Sequence, residues 1–465
     1  MQRYDALVKL FDNASHPMIH IIAENSRQMK RLNVLAMVLT LTVSVQAADW
    51  SNWRGPNYNG STDETNLPTR WSQTENVAWS IDLPGPSAST PVVWDDCVFV
   101  STTDTTADRL WAMCIDRKSG KTRWRHEVGS GIGKDYRSTF AAPSPVTDGS
   151  TVVFFYGNGE LLAYDLDGQK KWSQNIGPFA FGWTFSTSPV LFEGKLYLQI
   201  LQRNVPVKGR GRPGKNESYL LALAPETGKE LWRSPRDSKA VAESLEAFTT
   251  PTPFEFNGRK ELLVAGGDAL SGHDLETGKE LWRWGTWNPG RIPHWRLVPS
   301  PVAAEGVVIV CAPKGDPVYA LPAGESGTLS NDSLVWVSRG SREITSDVPT
   351  PAVYDGDFFI LHGKQGNGHL SRVDPGSGEA KWTIETPGRA KYEASPTAAD
   401  GKIYVMNFDG QVSVVDAQNG KIFDTIEMET ASDLANEEIR DRSSIVASHG
   451  QLLIRTYSKL WCIGK

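Results

Sequence analysis

The sequence predicts an all-β chain folded as an eight-bladed β-propeller of four-stranded antiparallel blades. Three observations carry this. A turn motif closing on tryptophan, such as Asp274-Leu-Glu-Thr-Gly-Lys-Glu-Leu-Trp282, recurs along the chain. A Ser/Thr-Pro pair opens an apolar run upstream of each turn. The two ends of the chain carry complementary fragments of one more repeat.

The first stretch lies outside the repeats. Met29-Lys30-Arg31, an apolar run from Leu32 to Val45, and the small residues of Val45-Gln46-Ala47 have signal-peptide form. The run is about 14 residues, short for a membrane span. Residues 29–47 are therefore expected to be an export signal, with an uncleaved anchor as the alternative. Cleavage would leave no stable membrane anchor, and no Cys follows the cut to take a lipid. Residues 1–28 read as an extension outside the native chain, with translation starting at Met29. Residues 48–75 form a lead-in, and residues 76–465 form the propeller.

The repeats follow in order. Turns ending in Trp124, Trp172, Trp232, Trp282 and Trp382 precede a last copy with Phe423 in the Trp place. Trp336 belongs to a copy whose turn is expanded by Pro322 to Asp332. Successive aromatic positions lie about 41 to 60 residues apart, the period of a propeller blade or solenoid unit. Gly in the turn supplies the positive φ of a tight hairpin, and the Asp before it accepts backbone N–H bonds. The Trp buries a large area, needs one partner for its indole N–H, and can tie a blade to its neighbour. Ala163, Ala222, Gly272 and Ala320 are small enough for close approach of sheets.

Seven pairs, from Thr90-Pro91 to Ser395-Pro396, start the innermost strands, where Pro costs no ladder donor. Ser443 to Ala447, Gln451 to Arg455 and Lys459 to Ile463 then supply three strands of an eighth blade. Asn76-Val-Ala-Trp79-Ser-Ile supplies its fourth, which closes the ring and removes exposed edges. A seven-bladed ring is the alternative. Thr430 to Arg442 is the one helical-looking stretch after the leader.

Composition bounds function. A net charge of −6 argues against nucleic acid as a partner. Cys97, Cys114, Cys311 and Cys462 show no CxxC spacing, and no disulfide pair can be read from them. Cys114 and Cys462 fall at the small-residue position of their repeats and read as buried free thiols. His273, His362, His369 and His449 have no ligand spacing, so no metal site is expected.

The repeated Asp-x-x-Thr-Gly-Lys-x-x-Trp with Ser-Pro-Val resembles the pyrroloquinoline-quinone (PQQ)-like β-propeller repeat family. That family includes quinoprotein alcohol dehydrogenases and the propeller lipoprotein of outer-membrane assembly. Trp50-Ser-Asn-Trp53-Arg-Gly-Pro56 is similar to the start of exported propellers of Planctomycetes-type bacteria. The resemblance covers about Asp49 to Lys465 and implies the fold. It brings no matching vicinal disulfide, calcium ligands, catalytic Asp or lipidated Cys, so neither activity transfers residue by residue.

Topology places the site. Strand direction alternates, so the connections from outermost to next innermost strand and from second to third strand share one face. Residues just before each Ser/Thr-Pro pair therefore rim the channel mouth. The candidate ligand-binding residues are Arg137, Trp183, Glu246, His294, Trp295, Arg296, Asp347, Lys391, Glu393 and Arg442. Trp284 to Arg296 is dense in Trp and cations, which suits sugar rings, quinones or peptide side chains. Arg203 to Lys215 is a basic, Gly-rich insertion expected to be solvated.

The sequence thus favours an exported, non-enzymatic binding or scaffold propeller, monomeric, periplasmic or secreted, with no cofactor. Its partner would be a protein, a saccharide or an anionic small molecule. The alternative is a PQQ-dependent dehydrogenase of alcohols or sugars, needing PQQ with Ca²⁺. No Gly-x-Ser-x-Gly elbow or HExxH motif supports hydrolysis.

Overall fold

The computed structural model describes residues 48–464 except positions 136, 286, 365, 367 and 430–439. The leader and most of the Thr430 to Arg442 stretch thus lie outside the described residues; Arg440 to Arg442 are not helical. Strands form eight sheets, each a blade of four antiparallel strands with one added parallel strand in the fourth, and the ring is all-β as expected.

The third blade shows the unit. Val190–Phe192, Lys195–Ile200, Tyr219–Leu223 and Glu230–Pro235 pair in sequence order. The three inner strands are almost wholly buried, while the outermost alternates exposed and half-buried residues. Such alternation marks a sheet wetted on one face only.

Closure occurs where both ends meet. Val77–Asp82 pairs antiparallel with Lys459–Ile463, setting Trp79 opposite Cys462. The other strands of that blade are Gln451–Arg455 and Val446–Ser448.

The tryptophans tie neighbouring blades. Trp79, Trp124, Trp172, Trp232, Trp336 and Trp382 each donate the indole N–H to a carbonyl in the next blade's turn, at 2.6–3.2 Å. Each ring also lies on that turn's glycine. A Cβ at Gly278 would stand 2.4 Å from the Trp232 ring, and its φ of +69° already disfavours any side chain. Opposite the Trp on its own sheet lies the small residue: Cys114, Ala163, Ala222, Gly272 or Ala320. That position accommodates the indole within the blade. All four cysteines are buried and free.

The fourth blade departs from the pattern for a visible reason. The turn beyond it is the expanded one, whose Gly327–Leu329 adds a fifth, parallel strand to Glu280–Trp284. Trp282 instead donates to Glu261 of its own blade at 3.0 Å.

The Ser/Thr of each Ser/Thr-Pro pair has a role the sequence did not suggest. Its backbone N–H donates to the corresponding hydroxyl of the next blade: Thr90 to Ser144, Ser144 to Ser188, Ser188 to Thr250, and so on to Ser395 and Ser444. Ser444 returns to Thr90, closing a ring of eight bonds at 2.9–3.2 Å. The innermost strands start just beyond it, one residue after each Pro.

Candidate functional site at the channel mouth

The channel is filled from below by the lead-in. Trp50 exchanges backbone bonds with Val93, and the Ser51 carbonyl accepts from Thr147 N–H at 2.9 Å. Tyr58 donates its hydroxyl to the Leu191 carbonyl at 2.7 Å. The carbonyls of Asn59 and Gly60 accept from Val353 and Ala398. Arg54, 4% exposed, donates to the carbonyls of Pro351 and Pro396. A guanidinium has five donors and suits such a carbonyl-lined space. These bonds reach the innermost strands of five blades, and of the segment Trp53 reaches the cavity above.

That cavity has a volume of about 530 Å³ and opens on the face the topology selects. Ring residues, among them Ser144, Ser188, Thr250 and Thr350, line it beside Trp53. Of the ten expected residues, Arg137, Trp183, Arg296, Asp347, Lys391, Glu393 and Arg442 line it. They come from connections scattered over more than 300 residues of chain, which only the closed ring brings together.

Three expected residues do not line it. Glu246 is fully buried, accepting from Gly182 N–H at 2.9 Å and from Arg203 Nε. Burial raises its pKa, partly offset by Arg203. His294 is exposed outside the cavity. Trp295 donates its backbone N–H to Ser244 Oγ at 2.8 Å, and its ring packs on the fourth blade's core. Trp284 and Trp287 are buried there too, so these three tryptophans pack the loop, and Arg296 lines the mouth.

The basic insertion is pinned against the rim. Lys208 donates to the Gly182 carbonyl at 3.0 Å and stands 4.4 Å from the Trp183 ring centroid. Arg210 donates to the Trp183 carbonyl at 2.6 Å. Arg296 approaches the same ring at 5.6 Å while ion-paired to Glu243. Trp183 is therefore held by cations from two loops.

Charge at the mouth is lopsided. Arg137, Arg296, Lys314, Lys364, Lys391 and Arg442 line the cavity against Asp135, Asp347 and Glu393. The carboxylates are engaged. Glu393 bridges Arg442 at 2.7 Å and Arg137 at 3.4 Å, joining the connections that follow the sixth, seventh and first blades. Asp135 accepts from the Thr184 hydroxyl at 2.6 Å and from three backbone N–H groups. Asp347 accepts from Lys314 N–H at 2.7 Å.

The side-chain ammonium groups of Lys314, Lys364 and Lys391 pair with no acceptor among the described residues. Lys314 and Lys364 sit on connections between second and third strands. The topology assigns these to the mouth face, but the ten candidate residues all precede Ser/Thr-Pro or Ser444-Ile445 positions. His362 also lines the cavity, and burial, then the charges of His369 and Lys364, hold its imidazole below the ordinary value.

A quinone with a calcium ion is the group the fold suggests. The cations fit its carboxylates. Among the described residues, however, no cluster of three His, Cys, Asp or Glu could hold a metal. At the mouth, Asp135 and Glu393 are held by internal donors and Asp347 accepts one backbone N–H, so three free carboxylates are not presented together to the ion.

Comparison with known proteins places the chain. The family model described as outer membrane protein assembly factor BamB matches residues 61–198 and 216–464. The gap between the two matched segments contains the whole of the basic insertion. The assembly factor BamB of Burkholderia pseudomallei (strain K96243) is 23% identical over 367 residues, 72% of this chain and 85% of the relative.

Among solved structures, a europium-containing methanol dehydrogenase aligns with TM-score 0.67 at 10% identity, covering 90% of this chain and 98% of that one. BamB from Moraxella catarrhalis aligns with TM-score 0.55 at 14% identity, covering 83% and 98%. The quinohemoprotein alcohol dehydrogenase of Comamonas testosteroni gives 0.58 at 14%, covering 90% and 81%. At such identities these structures share the fold alone. The match of the family model across most of the repeats is more specific: this chain belongs to the family of outer membrane protein assembly factor BamB, with the PQQ-like repeat.

Proposed function

We propose that this chain is an exported, non-enzymatic binding or scaffold propeller that takes an acidic segment of a partner protein at its channel mouth. The observation that carries the reading is the cavity itself. It is floored by Trp53, rimmed by six cations against three carboxylates, and holds three lysines whose ammonium groups have no acceptor among the described residues. This cationic pocket sits on a chain of net charge −6. Charge complementarity of this kind speeds encounter and sets specificity more than it adds affinity. Family membership supports a periplasmic scaffold role in outer-membrane assembly, and no described helix is long and apolar enough to cross a membrane.

The test is titration with an acidic peptide, followed by tryptophan fluorescence. The triple variant Lys314→Ala, Lys364→Ala, Lys391→Ala should bind at least tenfold more weakly, about 1.4 kcal/mol. Wild-type binding should weaken as salt screens the mouth. Unchanged binding in the triple variant would overturn the reading. The dehydrogenase reading shares the pocket and differs in its ligand: saturable binding of PQQ that requires Ca²⁺, with dye-linked turnover of an alcohol or sugar, would replace the scaffold reading.

A further inference from the structure

Glu64 is a buried carboxylate without a cation. It is 5% exposed and pairs with no Lys, Arg or His side chain among the described residues. Its oxygens accept from two backbone N–H groups, those of Ala48 and, at 2.7 Å, Gly450. An ionised carboxylate so placed is costly unless a counter-charge reaches it.

The neighbouring donor is at a marked place in the sequence. Ala48 directly follows Val45-Gln46-Ala47, the small-residue pattern that precedes a signal-peptide cut. It is only half-buried, and its carbonyl accepts the Ser448 hydroxyl at 2.7 Å. The Asp49 carboxylate accepts from Asp95 N–H at 2.7 Å and meets His449 Nε2 at 3.0 Å. The start of the lead-in is thus fixed against turns of the first and eighth blades.

We propose that a signal peptidase of the export machinery cuts between Ala47 and Ala48, and that the new α-ammonium of Ala48 is the counter-ion of Glu64. Hydrolysis breaks the C–N bond; water gives its hydroxyl to the Ala47 carbonyl carbon and a proton to the Ala48 nitrogen. Below a pKa of about 8 that amine holds one more proton from solvent and is cationic. One of its N–H bonds already points at Glu64, and half-burial leaves the other two to water. A hydrogen bond from a neutral amide to the carboxylate becomes an ion pair with a charged donor. Processing would then tighten the anchor of the very segment that carries Trp53 to the cavity floor. The inference rests on export and is independent of what the mouth binds.

The experiment starts translation at Met29 in an exporting bacterium and reads the purified protein's N-terminus by intact mass and sequencing. The mature chain should begin at Ala48. The α-amine is then selectively acetylated in wild type and in Glu64→Gln, which preserves side-chain shape. Acetylation should lower the melting temperature of wild type and leave that of Glu64→Gln unchanged. A mature chain beginning elsewhere, or an equal acetylation effect in the two proteins, would overturn the proposal.

Discussion

Ser188 illustrates how much one hydroxyl does in this ring. It accepts the Ser144 N–H at 3.0 Å, and its own N–H donates onward to Thr250. Ser188→Ala leaves a buried N–H without an acceptor, which costs about 1–3 kcal/mol. Ser188→Thr keeps the acceptor and should stay close to wild type; urea unfolding of both variants decides. Asp268 offers a second residue-scale prediction, in pH. Burial, partly offset by Asn288 and Arg291, pushes its carboxyl up to about 6. A native pKa above the unfolded value of about 3.9 means the folded state binds the proton more tightly. Its contribution is fully present below about pH 3.9 and is lost as pH rises through about 6. Asn suits the residue's φ of +59°. Asp268→Asn should therefore gain on wild type between pH 4 and 6, by on the order of 2 kcal/mol. Parallel denaturation curves across that range would refute it.

Among elements, the outermost strand carries the tie between blades. Trp232 donates to the Leu275 carbonyl at 3.0 Å and covers Gly278. Trp232→Ala should cost about 3 kcal/mol, and Trp232→Phe, which keeps much of the packing, about 1 kcal/mol. Arg137→Ala, losing a partly exposed ion pair at the mouth, should cost less than about 1 kcal/mol. Similar losses for Trp232→Ala and Arg137→Ala in guanidinium titrations would contradict this ranking.

The turns and ties were legible because their marks are local: Asp, Gly and Trp sit within one hairpin. The hydroxyl ring was not, since seven of its bonds join residues some 50 positions apart and the eighth joins Ser444 to Thr90 across the whole propeller. Trp295 misled for the opposite reason. Its place before Pro299 put it at the rim, but Ser244 fixes its backbone and the ring turns to the core. The lead-in gave no sign of filling the channel, because its contacts are backbone N–H and carbonyl groups supplied by separate blades.

At the scale of the whole molecule, the two ends of the fold share one sheet. Deleting Val77 to Asp82 strips the outer strand from Lys459–Ile463 and removes the Trp79 tie to the Arg117 carbonyl. The bare edge should recruit other chains. The truncated protein is expected to lose cooperative unfolding and to elute as aggregate in size-exclusion chromatography; a monomer with unchanged melting would refute closure by this strand.

The hydroxyl circle also works as a counter. Each link spans one blade step at nearly the same length, and the last link must return to Thr90. Adding or losing one repeat would change the angle between every neighbouring pair and strain all the links together. Blade number is thus inherited as a unit. Insertions can accumulate in the loops, as residues 203–215 do, while a tandem duplication of one whole repeat should be purged during evolution.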